Sequence, residues 1–366
     1  MAHDLMARGD GSGEAAMFFV GEAPWHRLGR RLETPPATAA AAIDAAGLDW
    51  EVVKVPLLLA GGHRLHRVAH RFAIIRPDLL SGDACPVLGI VGSQYEPLQN
   101  RAAFTFFDAI IAEGGAAYHT AGALGDGERI WVLAELRGVI RVAPDDEVQK
   151  FLLLTSTHDG TGAVRVLFTP VRVVCQNTLS QALRGGGGLS VAHTPTLRAG
   201  LEQARGVMRT AIARYRDMEA AFQRMAHYQM DQARLAGYLR AVFPDPPAGD
   251  EETRERAARL AADRRAWAGA LFEAGAGNDR KPVRGTLWAA YNGVTELVDH
   301  GAARIARGKK GLAPAPAASR VLPPVSAIRS TSGLSAGERR LQSVWFGDGA
   351  RLKARAYDEA VGLLTT

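Results

Sequence analysis

KFLLLTSTHDGTGAVRVLFT, Lys150–Thr169, decides how the first half of the chain is read. Two runs rich in aliphatic and β-branched residues, Lys150–Thr155 and Ala163–Thr169, flank His158-Asp159-Gly160. The Asp-Gly step supplies the turn chemistry of a hairpin between two strands. Arg165, and Arg172 just beyond, alternate with aliphatic residues, so each is expected to point off a sheet face. One wet face is also ordinary for antiparallel sheet, so the arginines alone do not settle a role.

Working outward, Trp50–Leu59, Val68–Ile75, Val87–Val91 and Ile130–Leu136 have the same strand composition, bounded by Gly, Pro and Asp. Thr38 is placed to cap a short helix through Ala46. In Arg101–Glu113, Ala103, Phe106, Phe107, Ile110 and Ile111 recur at helical spacing, and Gly114-Gly115 stops the run. After Pro195 the pattern turns helical: Leu197–Ala226, Asp231 (as cap) to Val242, Asp250–Ala274, Val283–His300 and about Glu338–Leu364. The expected fold class is α+β: an antiparallel-rich sheet domain with packed helices, followed by an α-helical domain. The boundaries are a flexible leader over 1–16, an α+β core over 17–198, a helical domain over 199–300, a basic flexible linker over 301–337 and a C-terminal helical segment over 338–366.

The chain has 366 residues and a formal charge of +6. By successive hundreds the net charges are −2, 0 and +1, with +7 over the last 66 residues, so the surplus is C-terminal. Two distant cysteines, Cys85 and Cys175, cannot staple a chain of this size, and the acidic start does not resemble a secretory signal. No window approaches the ~18 apolar residues of a membrane span. A soluble cytoplasmic protein is expected.

No Walker-type phosphate loop, dinucleotide fingerprint, zinc-protease pair, nucleophile elbow or zinc-deaminase pattern is present in the sequence. His63, His66 and His70 form the densest histidine group, but on a strand His66 and His70 stand roughly 13 Å apart, too far to share a metal ion. We expect no metal, no cofactor and no catalytic residue. Gln176 and Asn177 follow Arg172 at a strand-to-helix transition, where they either cap a helix or present donors to a phosphate or base. Gly275–Gly285 carries Arg280, Lys281 and Arg284 ahead of the Trp288/Tyr291 helix. It reads either as an anion site at a helix N-terminus or as a surface loop over a core containing both aromatics.

Several of these segments together resemble the phage/plasmid-like protein family, domain of unknown function nine hundred and thirty-two. They are MFFVGEAPWHRLG (Met17–Gly29), AAGLDWEV (Ala45–Val52), YEPLQNRAAFTFFD (Tyr95–Asp108), STHDGTGAVRVLFTPVRVVCQNTL (Ser156–Leu179) and GNDRKPVRGTLWAAYNGVTELVDH (Gly277–His300), with FGDGARLKARA (Phe346–Ala356) as a weaker tail. The resemblance implies a mobile-element context and no agreed activity. The expected function is ATP-independent nucleic-acid binding, single-stranded DNA favoured, by a homo-oligomer acting in recombination or replication. Arg165, Arg172, Arg280, Lys281 and Arg284 would neutralise phosphates, Gln176 and Asn177 would orient the strand, and Lys309, Lys310, Arg339, Arg340, Arg351, Lys353 and Arg355 would add salt-sensitive affinity. Two other readings stand beside it: an enzyme with a site around His158, Asp159, Cys175 and Asn177, and a structural protein assembling through its helices.

Overall fold

A computed structural model describes residues 6, 8–9, 12–21, 29–61, 63–80, 86–172, 177–178, 189–197, 199, 207–247, 250–301 and 348–365. The fold is mixed α+β, with the long helices C-terminal. The chain falls into two compact units. The first is Met1–Arg137, Phe151–Phe168 and Gly186–Ile212; the second is Gly138–Lys150, Thr169–Gly185 and Ala213–Thr366.

The large sheet has eight strands. They are β1 (Met17–Val20), β2 (Arg30–Leu32), β6 (Ala116–Leu124), β7 (Arg129–Ala143), β8 (Asp146–Thr157), β9 (Val164–Arg172), β10 (Asn177–Thr178) and β11 (Leu189–Val191). Their order is β10-β9-β8-β7-β6-β1-β2, with β11 also on β9. β1 runs antiparallel to β6 and parallel to β2, so one edge of an otherwise antiparallel arrangement is mixed. β6 escapes a propensity reading because AAYHTAGAL is built from small residues. The packing demands them: a Cβ on Gly122 would lie 2.6 Å from the indole of Trp131, its partner across β7.

In the first unit α1 (Ala39–Ala46) and α2 (Asn100–Gly114) pack on each other, and α1 also meets β1 and β6. Thr38 caps α1 by accepting from the Ala41 amide, and Gly47 ends it with φ 66°, a left-handed conformation that suits glycine. Phe18, Phe104, Phe107, Tyr118 and Trp131 are buried. A second, three-stranded antiparallel sheet holds β3 (Val53–Gly61), β4 (Arg64–Ile75) and β5 (Val87–Gly92).

The second unit contains α4 (Gln232–Val242), α5 (Glu251–Ala274), α6 (Leu287–His300), α7 (Asp348–Leu363) and, from Ala213 onward, α3 (Val207–His227). Asp231 caps α4 as expected, and Asp250, expected as the first residue of its helix, caps α5. Every residue from Leu287 to Asp299 is buried, so α6 is a central helix rather than one with a single apolar face. Its close approach to α5 requires Gly293, where a Cβ would sit 2.9 Å from the Ala268 carbonyl oxygen. Trp288 and Tyr291 are both core, stacked around Phe222, and the Trp288 indole donates to Asp146 at 2.8 Å.

Candidate nucleic-acid interface

The sequence-predicted site residues are distributed over both units. Arg165 is exposed on β9 between fully buried Val164 and Val166, as its alternation implies. Its charge and that of Asp159 act in opposite senses on Arg129, whose guanidinium burial pushes below the usual range. Arg172 ends β9, where its backbone pairs with Asn177 of β10. That short strand stands where a helix start is expected; Gln176 and Cys175 lie outside the described residues.

Arg280, Lys281 and Arg284 are exposed together on one loop of the second unit. Asn278 braces that loop by donating to the carbonyls of Leu271 (2.8 Å) and Ala289 (3.0 Å), and Glu296 accepts from the Ala276 amide at 2.8 Å. Arg280 donates to the Asp145 carbonyl. Of the two readings left open for this loop, the surface loop over a core holding Trp288 and Tyr291 is what the packing matches. At the start of α6 Thr286 accepts from the Ala289 amide, and the Leu287 amide donates to the Tyr228 carbonyl.

The C-terminal cations need a correction. Lys353 is fully buried, and its ammonium lies 2.8 Å from Asp299, so it belongs to the core and not to a basic tail. Burial pushes its pKa down while Asp299 pushes it back up. Arg351 pairs with Asp348, and Arg355, although exposed, reaches the Val242 carbonyl. Lys309, Lys310, Arg339 and Arg340 lie outside the described residues.

The feature that sequence reasoning missed is the β3–β4 ribbon. Between Glu51 and Asp78 the chain has no carboxylate, but has Lys54, Arg64, Arg67, Arg71 and Arg76 and three histidines. Averaging over a hundred residues cancelled this run against its acidic flanks; a window of ~25 residues reveals it. The distal pairs are Leu58↔Arg67, Leu59↔His66, Ala60↔Leu65 and Gly61↔Arg64. All eight side positions are exposed, with Leu59 64% and Leu65 69% accessible. Each face of the ribbon thus presents a leucine beside cationic or imidazole side chains. His66 and His70 lie along one strand as expected, and among the described residues no His/Cys/Asp/Glu cluster is placed to hold a metal.

Arg64, Arg67 and Arg71 have no carboxylate partner among the described residues. Lys54 is committed differently: it donates to the Ser93 and Tyr95 carbonyls at 2.7 Å each and lies over the Phe72 ring. His70 adopts φ 56° where β4 leaves β3 and Arg71 pairs with Gly92 of β5. A left-handed non-glycine residue costs on the order of 1 kcal/mol, and the bulge there is what turns the ribbon.

Where the chain enters β3 and leaves β4, a buried clasp ties the first unit together. Asn100 donates to the carbonyls of Leu48 (3.0 Å) and Trp50 (3.3 Å), and its Oδ1 lies 3.0 Å from His158 Nε2. Since the amide nitrogen is the donor, His158 Nε2–H must donate to Oδ1, leaving Nδ1 bare. Nδ1 is buried with no partner among the described residues; burial above all, then His193 and Arg76, oppose a positive charge on the ring and hold the His158 pKa down to about 3. Arg76 in turn grips Asp78 and the Asp126 carbonyl while lying 4.0 Å over the Trp50 ring. Gln99 exchanges two hydrogen bonds with the Val52 backbone.

The family described as Domain of unknown function (DUF932) matches residues 87–345. The chain belongs to that family. No curated protein and no solved structure matches it. Within the DUF932 match, the Tyr95–Asp108 and Ser156–Leu179 segments supply Asn100 and His158 to the clasp. Leu48 and Trp50, from Ala45–Val52, precede the match. Much of what makes this DUF932 chain recognisable therefore maintains the fold, including the Gly277–His300 segment that forms the braced loop and α6.

Proposed function

We propose that this DUF932 protein is an ATP-independent, cytoplasmic nucleic-acid-binding protein of a phage or plasmid, favouring single-stranded DNA and acting as a homo-oligomer in recombination or replication. The observation that carries the reading is the exposed, carboxylate-free β3–β4 ribbon, with Arg64, Arg67 and Arg71 open to solvent. Cations with no carboxylate partner among the described residues neutralise phosphates by releasing counterions, and exposed leucines beside them give base edges and ring faces an apolar surface. Arg165 in the same unit, and Arg280, Lys281 and Arg284 on the braced loop of the other, supply further phosphate contacts, with Arg172, Gln176 and Asn177 orienting the strand.

The test is a salt titration of binding to a single-stranded 20-mer, with the duplex as competitor. The expected outcome is affinity that falls linearly on a log–log plot against salt and is higher for the single strand. Absence of binding at low salt, or affinity indifferent to salt, would overturn the reading.

A further inference from the structure

At the root of the ribbon lies an open cleft of about 550 Å³, within the ~300–1,000 Å³ range of small-ligand sites. The bulge residues His70 and Arg71, Gln94 and Tyr95, and His193 and Thr194 line it. No carboxylate is among its described lining residues, although the charge of Asp159 reaches Tyr95 and His193.

Tyr95 is held on several sides. Its hydroxyl donates to the Thr157 carbonyl at 2.8 Å, and its ring stacks on His193 with centroids 4.9 Å apart and planes 22° from parallel. His193 is itself fixed: its Nδ1 lies 3.0 Å from the Glu96 carbonyl oxygen and so donates to it, and the Glu96 amide donates back to the His193 carbonyl at 3.1 Å. Lys54 holds the backbone on either side of Gln94. A ring fixed in this way loses little freedom when another flat ring is laid on it.

Gly92 also lines the cleft and pairs with Arg71 across β4 and β5. Its φ is not in the positive range, and a Cβ there would meet nothing within 4 Å, so a larger side chain has open space to occupy.

Resting on the nucleic-acid reading, we propose that this cleft seats one nucleotide unit, the base against Tyr95 and the phosphate at Arg71. The same chemistry occurs in a free nucleoside monophosphate and in one unit of a bound strand, and the assignment here is to the strand.

The experiment uses the full chain and three probes: a single-stranded 12-mer, an abasic backbone of equal length and adenosine 5′-monophosphate. The expected result is a preference of ~10-fold or more for the base-bearing strand, from stacking of one base. Gly92→Leu, which fills open space and leaves the fold intact by its melting temperature, lowers the preference by the ~10-fold share of one stacked base while leaving the affinity for the abasic backbone unchanged. Arg71→Gln weakens both oligonucleotides alike. Equal binding of base-bearing and abasic strands, or a preference undiminished by Gly92→Leu, overturns the cleft assignment and leaves the function standing. Binding of adenosine 5′-monophosphate without binding of either oligonucleotide overturns the strand assignment and the proposed function together. If no probe binds, both fall.

Discussion

Two basic segments of this chain meet opposite fates. The β3–β4 ribbon places Arg64 and Arg67 in solvent with no carboxylate partner among the described residues, whereas in α7 Lys353 is sealed against Asp299, and Arg351 pairs with Asp348. Summed charge ranks them the wrong way round: the ribbon lies in a stretch of net −2 and α7 in one of net +7. A cation is available to a partner only if the fold has not already used it.

The largest effect expected from this contrast is in α7. Lys353→Met leaves the Asp299 carboxylate buried without its counter-ion, which costs about 3–5 kcal/mol and is read by denaturant unfolding. Lys353→Met combined with Asp299→Leu recovers most of that loss, since a buried pair replaced by apolar groups is often near neutral. A Lys353 variant of unchanged stability would mean that the charge is not confined in the core.

Next in size is the buried clasp of the first unit. Asn100→Ala removes two donors to buried carbonyls and orphans the His158 Nε2–H, an expected loss of about 2–4 kcal/mol. His158 also makes stability depend on pH. Its folded pKa of about 3 lies below the 6.5 of the free side chain, so the unfolded chain binds the extra proton between those values. Stability is then complete above pH 6.5 and falls by about 1.4 kcal/mol per unit as pH drops below it, levelling near pH 3. His158→Gln, which keeps a donor toward Asn100, flattens that slope in unfolding curves taken from pH 7 to pH 5.

Smallest of all is the effect of the ribbon on stability. Arg64→Ala with Arg67→Ala is expected to shift unfolding by no more than about 0.5 kcal/mol, because both are exposed and bound to no carboxylate among the described residues. Its consequence is confined to binding.

Element type was legible wherever local chemistry decides it. The Asp-Gly turn after β8, the Thr38, Asp231 and Asp250 caps and the Gly115 stop all mark their elements in one dimension. β6 was not legible, because its alanines and Gly122 answer to Trp131 on a neighbouring strand and not to strand propensity. The site was read only in part. Arg165 follows from alternation, but whether Lys353 is surface or core depends on Asp299, 54 residues away. The pairing of Tyr95 with His193 joins residues nearly a hundred apart and leaves no local pattern. The ribbon, by contrast, was within reach of the sequence at the right window length.

The central claim is that ribbon cations, and not bulk charge, hold the nucleic acid. It is tested most directly by comparing the salt dependence of single-strand binding between the unmodified chain and Arg64→Ala/Arg67→Ala. At ~0.7 per phosphate, the log–log slope is expected to become shallower by about 1.4, with ~10-fold weaker binding at low salt and an unchanged melting temperature. An identical slope and affinity in the variant would contradict the account.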